Sequence, residues 1–490
     1  MPSQSKKLVF LPWLAIAAAS LCVCLHIYDC FRDAGSFSRY IPLLVGFALC
    51  LAAVLLFPRA GKFTEGKKQL AIMTALLVIF SALYMIAVRP GETPDEGSHF
   101  FRAMQVSQGG LVSQVCGENN EIVGGWIPAI LEDGTISDQL NAYDFANTAL
   151  YAPTNYVVQA LGIRIARCFT NQYAAVLTFT RVFSALVFVG LVVLALWLMP
   201  ERGRILLFLP ACLPISLQEL TSIAPDAGAI ALSFLLIAWV MRLREEKRAP
   251  GRREKVLLGL VAVLLSLSKV VYVVLALVVV LVPFGDKRRG LLWKSLTVGL
   301  CVLANLLWLV IAARFLNATG AGHSQQTIYV LTHLPQYVGI MLRSVFNSGS
   351  YWLETAFGQH MGALNITVTG WLPCAFAMLL CWGCASARPA LSLREGERWW
   401  MAVIFLGGFV LILTSLYVQY TGYQAELIDG VQGRYFLPLL PCLLIAAVSG
   451  EKTGARETMQ PTRYLLLTLI FLHVIELSDI LHTYICYLGG

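Results

Sequence analysis

Leu70-Ala-Ile-Met-Thr-Ala-Leu-Leu-Val-Ile-Phe-Ser-Ala-Leu-Tyr-Met-Ile-Ala-Val88 is followed at once by Arg89-Pro-Gly-Glu-Thr-Pro-Asp-Glu-Gly-Ser-His-Phe100. The first run carries no charge and has about the 20 residues that a helix needs to cross the hydrocarbon core. Pro90 and Gly91 end that helix, because neither continues one well. The second run then sets charged groups where the chain leaves the bilayer. Moving outward, comparable apolar runs recur at roughly 8–28, 39–57, 174–199, 203–218, 225–242, 256–269, 271–284, 291–313, 367–385, 400–418, 434–449 and 464–484. The expectation is an all-α polytopic membrane protein with about 11–13 transmembrane helices. The two runs flanking Lys269 are short for full crossings, which predicts tilt or partial re-entry there.

Composition agrees. Of 490 residues 58% are hydrophobic and only 13% charged, with mean hydropathy +0.71, whereas a soluble chain carries roughly 25% charge. The net charge of +8 is distributed in short clusters between apolar runs, a membrane-topology pattern and not a groove for nucleic acid. Lys6 and Lys7, Arg59 to Lys68, Arg202 and Arg204, Arg242 to Lys255, Lys287 to Arg289, Arg388 to Arg398, and Lys452 to Arg463 fall on one side of an alternating topology. By the positive-inside rule that side, with the N-terminus, is cytoplasmic. The opposite side receives three long, poorly basic segments, roughly 89–173, 314–366 and 419–433. The Ala17-Ala-Ala-Ser20 stretch reads as part of a first span that is retained, because further spans follow directly. Cysteines such as Cys50, Cys212 and Cys442 lie within apolar runs and read as small hydrophobes. Three regions result: two extra N-terminal helices over 1–68, a membrane domain over 69–450, and a linker with a last helix over 451–490.

Chemistry concentrates at two outside positions. In Thr93-Pro-Asp-Glu96 the pattern predicts a capping box with Thr93 as N-cap. That alone would explain Glu96, and the helix dipole would explain Asp95. The same geometry sets Asp95 and His99 one turn apart on one helix face, which suits general-base chemistry or a divalent cation held by Asp95, Glu96 and His99. In Glu426-Leu-Ile-Asp-Gly-Val-Gln-Gly-Arg-Tyr-Phe-Leu-Pro438, Arg434 enters the membrane at headgroup depth. Gly430 and Gly433 allow close backbone approach there, and Gln432 and Tyr435 add neutral donors. A fork of that kind suits a phosphate or pyrophosphate, and interfacial anchoring is the plainer alternative. Gln218, Ser222 and Asp226 are further polar groups on the outside, with helix capping an equal explanation for Asp226. Lys269 either snorkels or meets a lipid phosphate. Tyr151-Ala-Pro-Thr-Asn-Tyr156 and the run after it predict a helix lying in the interface.

Gly430-Val-Gln-Gly-Arg-Tyr-Phe-Leu-Pro438, Thr93-Pro-Asp-Glu-Gly-Ser-His99 and Ser268-Lys-Val-Val-Tyr272 together resemble the bacterial membrane-protein family called domain of unknown function 2142. That family in turn resembles the C-type, or GT-C, glycosyltransferases, multispan enzymes that take a sugar from a polyprenyl-phosphate carrier on the outer face. Asp95-Glu96-Gly-Ser-His99 is similar to the Asp-Glu motif of protein mannosyltransferases, whose Asp is the base. Tyr151 to Tyr156, Arg181 and Leu265-Ser-Leu-Ser-Lys269 look like the interfacial helix, following Arg and Leu-Thr-Lys stretch of aminoarabinose transferases. Two spans precede the usual first one, and the Gly-Pro that normally follows the Lys is absent.

The resemblance implies an inverting glycosyltransferase in a bacterial cytoplasmic membrane. Its catalytic groups would be Asp95, Glu96 and His99, and its donor phosphate would meet Arg434, Gln432, Tyr435 and Lys269. A polyprenyl-phosphate sugar, membrane lipids and an acceptor glycan, lipid or protein are the implied partners; no cofactor is required beyond an optional divalent cation. A flippase or exporter of lipid-linked saccharides, or a polymerase or ligase using them, is the alternative.

Overall fold

The computed structural model describes residues 25–30, 32, 37–55, 66–117, 121–316, 322–387, 391–449 and 463–487. The first expected span, roughly 8–28, lies outside these apart from helical residues 25–28. The α-helices that follow are α1 (Ile41–Leu55), α2 (Gly66–Ala87), α3 (Glu96–Ser107), α4 (Val157–Ala166), α5 (Tyr173–Leu198), α6 (Ile205–Ala211), α7 (Pro214–Leu220), α8 (Pro225–Glu245) and α9 (Arg252–Ser268). After a 3₁₀ helix over Val270–Leu281 come α10 (Lys287–Leu316), α11 (Gly322–Thr332), α12 (Leu334–Ala356), α13 (Leu372–Ser386), α14 (Glu395–Gln419), α15 (Leu440–Val448) and α16 (Arg463–Cys486).

Among the described residues, α2, α5, α8, α10, α14 and α16 are each long and apolar enough to cross a membrane. The expected span over 203–218 is instead broken: α6 and α7 meet at 81°. Pro210 lies inside α6 and Pro214 opens α7, and a proline removes one helical hydrogen bond and crowds the carbonyl four residues earlier. The segment after Lys269 is short in residues but long in reach. At about 2.0 Å rise per residue, a 3₁₀ helix of this size extends about 24 Å, against about 18 Å for the same residues in an α-helix. Its Val-rich sequence, Val-Val-Tyr-Val-Val-Leu-Ala-Leu-Val-Val-Val-Leu, suits that choice, since β-branched side chains gain least from α-helical winding.

Among the described residues, basic groups of three separate segments are held at one end of the bundle. Arg204 donates to the carbonyl of Gly66 at 2.6 Å, Arg244 grips Glu397 with two bonds of 2.7 Å, and Arg398 donates to the carbonyl of Ala446 at 3.0 Å. The long poorly basic segments meet at the other end.

The first of these segments contains structure that hydropathy does not signal. β1 (Gln114–Cys116), β2 (Ile122–Ile130) and β3 (Ile136–Asp144) form an antiparallel sheet in that order. Gly124 pairs with Asp144 and Trp126 with Ala142, and an irregularity falls between Pro128 and Ile130. α3 lies against β2, and a Cβ on Gly124 would come within 2.1 Å of the carbonyl oxygen of Tyr143, so only glycine allows the close approach of β3 there. Buried Arg102 ties the loop together by donating to the carbonyls of Gly110 at 3.2 Å, Leu111 at 2.8 Å and Tyr151 at 3.4 Å. α4, entered through a 3₁₀ turn at Pro153–Tyr156, buries Gln159, Ala160 and Ile163 and exposes Val157 and Leu161. That split is the expected habit of a helix lying in an interface. A second small sheet, β4 (His360–Met361) with β5 (Ile366–Thr367), stands over α7.

Single cysteines replacing Arg253, Arg288 and Asp133 in a cysteine-free background test the two ends of the bundle. An impermeant maleimide should label the first two from one face and the third from the other; labelling of all three from one face would refute the arrangement.

Candidate active site

The turn that carries Arg434 is set by tight packing. A Cβ on Gly433 would lie 2.1 Å from the backbone nitrogen of Ala356 and 2.3 Å from the carbonyl oxygen of Trp352. The Gly433 N–H donates to Thr355 Oγ1 at 2.8 Å. The turn therefore sits flush on the end of α12 and sends Arg434 inward, where it is buried. Its Nη1 bonds Glu219 Oε1 at 3.2 Å, its Nε lies 3.8 Å from Asp226 Oδ2, and its Nη2 lies 4.0 Å from Asp95 Oδ2. Nε has no hydrogen-bond partner among the described residues.

Lys269 occupies an extended residue between α9 and the 3₁₀ helix. Asn155 donates to the carbonyls of Leu267 and Ser268, each at 3.1 Å, satisfying acceptors that the helix end leaves free. Lys269 Nζ meets Asp226 Oδ1 at 2.5 Å and lies 4.1 Å from the centre of the Tyr435 ring and 5.9 Å from that of Tyr151. Tyr272 donates to the Tyr435 carbonyl at 3.0 Å. Asp226 stands in the first turn of α8, but its side chain reaches both cations and does not cap its own helix.

Residues 93–99 depart from the capping-box expectation. α3 begins at Glu96, and Asp95 precedes it in the left-handed region, φ 61°. Thr93 is buried with its hydroxyl unpartnered. The reason is Glu96, whose carboxylate is drawn away from the cap. It accepts from the N–H of Gly91 at 2.8 Å and of Ile223 at 2.9 Å, and pairs with Arg181 at 3.4 Å. Arg181 also donates to the carbonyls of Thr221 at 3.0 Å and Val88 at 3.1 Å. Glu96 and Arg181 are thus a buried clamp between α2, α5 and the turn before α8.

His99 Nδ1 bonds the hydroxyl of Tyr156 at 2.8 Å. Burial, followed by the nearby Arg434, pulls the imidazole down to about 3, so it is neutral at ordinary pH. Asp95 alone of the three is half exposed. It accepts from Asn147 Nδ2 at 2.7 Å and faces Arg434. With Asp95 turned to Asn147 and Arg434, Glu96 to Arg181 and His99 to Tyr156, the three carry no common ligand set for a cation.

Other expected residues divide. Tyr151 and Tyr435 flank Lys269. Gln218 is bound to the backbone of Gly362 at 2.8 and 3.1 Å, and Ser222 to the carbonyl of Glu219 at 3.0 Å; both hold the turn and leave the charged cluster to others. Gln432 is half buried with Oε1 unpartnered. Glu219 and Asn147 escape sequence reasoning, and Tyr156 and Tyr272 enter it only as the ends of longer motifs. Glu219 has a signal: it is a carboxylate inside the apolar 205–220 stretch, where only a buried cation keeps such a group.

A cleft of about 160 Å³ opens beside this cluster. Lys269, Tyr435, Tyr151 and Asn147 line one part, and Trp308 and Leu416 belong to its apolar walls. It lies between the interfacial turn, α10 and α14.

The class is thus a polytopic helical membrane protein with a charged cleft at one end. A family model for predicted membrane proteins, DUF2142, matches residues 128–443, and the chain belongs to that family. No curated protein matches it. Among solved structures it is similar to the archaeal oligosaccharyltransferase AglB from Archaeoglobus fulgidus, solved with an inhibitory peptide and a dolichol-phosphate. The identity is 13% and the TM-score 0.35, over 85% of this chain and 56% of that chain, so the chain spans about half the length of that protein.

Removing one partner of a buried ion pair leaves the other charge unpaired, at a cost of about 3 kcal/mol. Lys269→Met should therefore lower thermal stability sharply, and Lys269→Met with Asp226→Leu should recover much of the loss. Additive losses in the double variant would show that the pair is not coupled.

Proposed function

We propose that this protein is a membrane glycosyltransferase that moves a sugar from a polyprenyl-phosphate carrier to an acceptor hydroxyl at the loop end of the bundle. The observation that carries the reading is Asp95: a half-exposed carboxylate that accepts from Asn147, a residue lining the cleft, and lies 4.0 Å from a buried guanidinium. In this reading the carrier phosphate enters the cleft beside Lys269 and Tyr435 and draws on the neighbouring Arg434, and the isoprenoid chain follows the apolar wall at Trp308 and Leu416. The acceptor hydroxyl attacks the anomeric carbon while its proton passes to Asp95. The bond between that carbon and the phosphate oxygen breaks, and the departing charge falls on the phosphate. Phosphate leaves readily, so stabilising that charge is the main demand, about 3 kcal/mol for one well-placed donor.

The charge balance supports a base at Asp95 more than at its neighbours. Arg434 and Lys269 are offset by Glu219 and Asp226. A phosphate that draws Arg434 to itself loosens that guanidinium's hold on Asp95. Glu96 and His99 serve as positioning residues, the first through Arg181 and the second through Tyr156.

The test is sugar transfer in proteoliposomes supplied with labelled polyprenyl-phosphate monosaccharides. Asp95→Asn should cut transfer by at least about 10²-fold with donor retention unchanged, and Arg434→Lys should cut it by about 10²-fold. Full transfer by Asp95→Asn would sink the assignment of the base. Sugar that stays on a carrier changing leaflet would make the protein a transporter.

A further inference from the structure

Away from the cleft, a second cluster joins the start of the described chain to its last helix. His26 and Cys30 lie one helical turn apart in the helical stretch 25–30, and Asp479 faces them from α16. Asp479 Oδ1 lies 2.8 Å from His26 Nε2, Cys30 Sγ lies 3.7 Å from the same nitrogen, and the three ligand atoms all fall within 4.8 Å of one another. We propose that His26, Cys30 and Asp479 form a binding site for a divalent transition metal of the zinc class, which fastens the N-terminal helical segment to α16.

The geometry favours a metal over a simple ion pair. Both the carboxylate and the thiol sulfur converge on Nε2, and one N–H on that atom cannot be directed at both. A metal at that nitrogen would serve both at once. The donor set of imidazole, thiolate and carboxylate is the one that zinc takes. With legs of about 2.0 Å to nitrogen and 2.3 Å to sulfur, a tetrahedral site needs those two atoms about 3.5 Å apart, close to the separation observed. The carboxylate has to retreat by about half an ångström to reach its own tetrahedral edge. Its other oxygen accepts from the Thr369 N–H at 2.8 Å, the outer support that fixes a ligating carboxylate. Tyr40, fully buried, donates to the Cys30 carbonyl at 3.5 Å and steadies the thiol's segment. The site is at the loop end of the bundle, since Arg89 lies 4.7 Å over the ring of Tyr484, one turn beyond Asp479.

The inference is independent of the glycosyltransferase reading, because none of these residues touches the cleft. The full chain, purified with a tag free of histidine and freed of loose ions by gel filtration, should retain about one zinc per molecule. Loaded with cobalt(II) instead, it should show the sulfur-to-cobalt charge-transfer band of a thiolate ligand. Cys30→Ser should lose that band and most of the metal, and His26→Gln and Asp479→Asn should each weaken retention. Wild-type protein that is monodisperse yet takes up neither zinc nor cobalt overturns the proposal, whatever the variants do. A cobalt band surviving unchanged in Cys30→Ser overturns it as well.

Discussion

A guanidinium held inside a helical membrane bundle must find its counter-charges within the protein. Arg434 finds Glu219 directly and Asp226 and Asp95 at slightly longer range. Those carboxylates come from the end of α7, the first turn of α8 and the residue before α3. One side chain therefore fixes the relative placement of the broken helix, a spanning helix and the first loop. Lys269 extends the same arrangement through Asp226 to the break between α9 and the 3₁₀ helix. The charges are costly to bury singly and tolerable only together, which ties local irregularities far apart in sequence to one point.

Those irregularities are what the site is made from. The prolines that break α6 from α7 leave a short helix that carries Glu219 in its last turn. The extended conformation at Lys269 frees two carbonyls that Asn155 of the interfacial turn then covers. Non-helical backbone at membrane depth is tolerated only where it is buried in protein or lines a cavity, and here it does both. The Glu96–Arg181 clamp acts differently. It fastens the loop to the bundle and so determines that Asp95, its neighbour, faces outward.

Asp95 and Glu96 illustrate how adjacent residues of the same chemistry acquire separate roles. Sequence reasoning treats them as one motif with His99. In the fold Glu96 is fully buried and satisfied by two backbone N–H groups and an arginine, while Asp95 is half exposed beside Arg434. The left-handed backbone at Asp95 turns the two side chains apart. His99, kept neutral by burial, is suited to hydrogen bonding and not to carrying charge.

The amino-acid sequence by itself determined the membrane class, the positions of most helices and the grouping of basic segments, because hydropathy and charge are local and additive along a chain. It also singled out Asp95, Arg434, Lys269 and Asp226, since charged groups beside apolar runs demand explanation. Only the tertiary structure decided which of them meet. Glu219, Asn147 and Tyr156 became visible as partners only once segments more than fifty residues apart were brought together, and the sheet of the first loop was hidden by its glycines and its polar face. Pairing across the bundle is a property of the fold that no window of sequence contains.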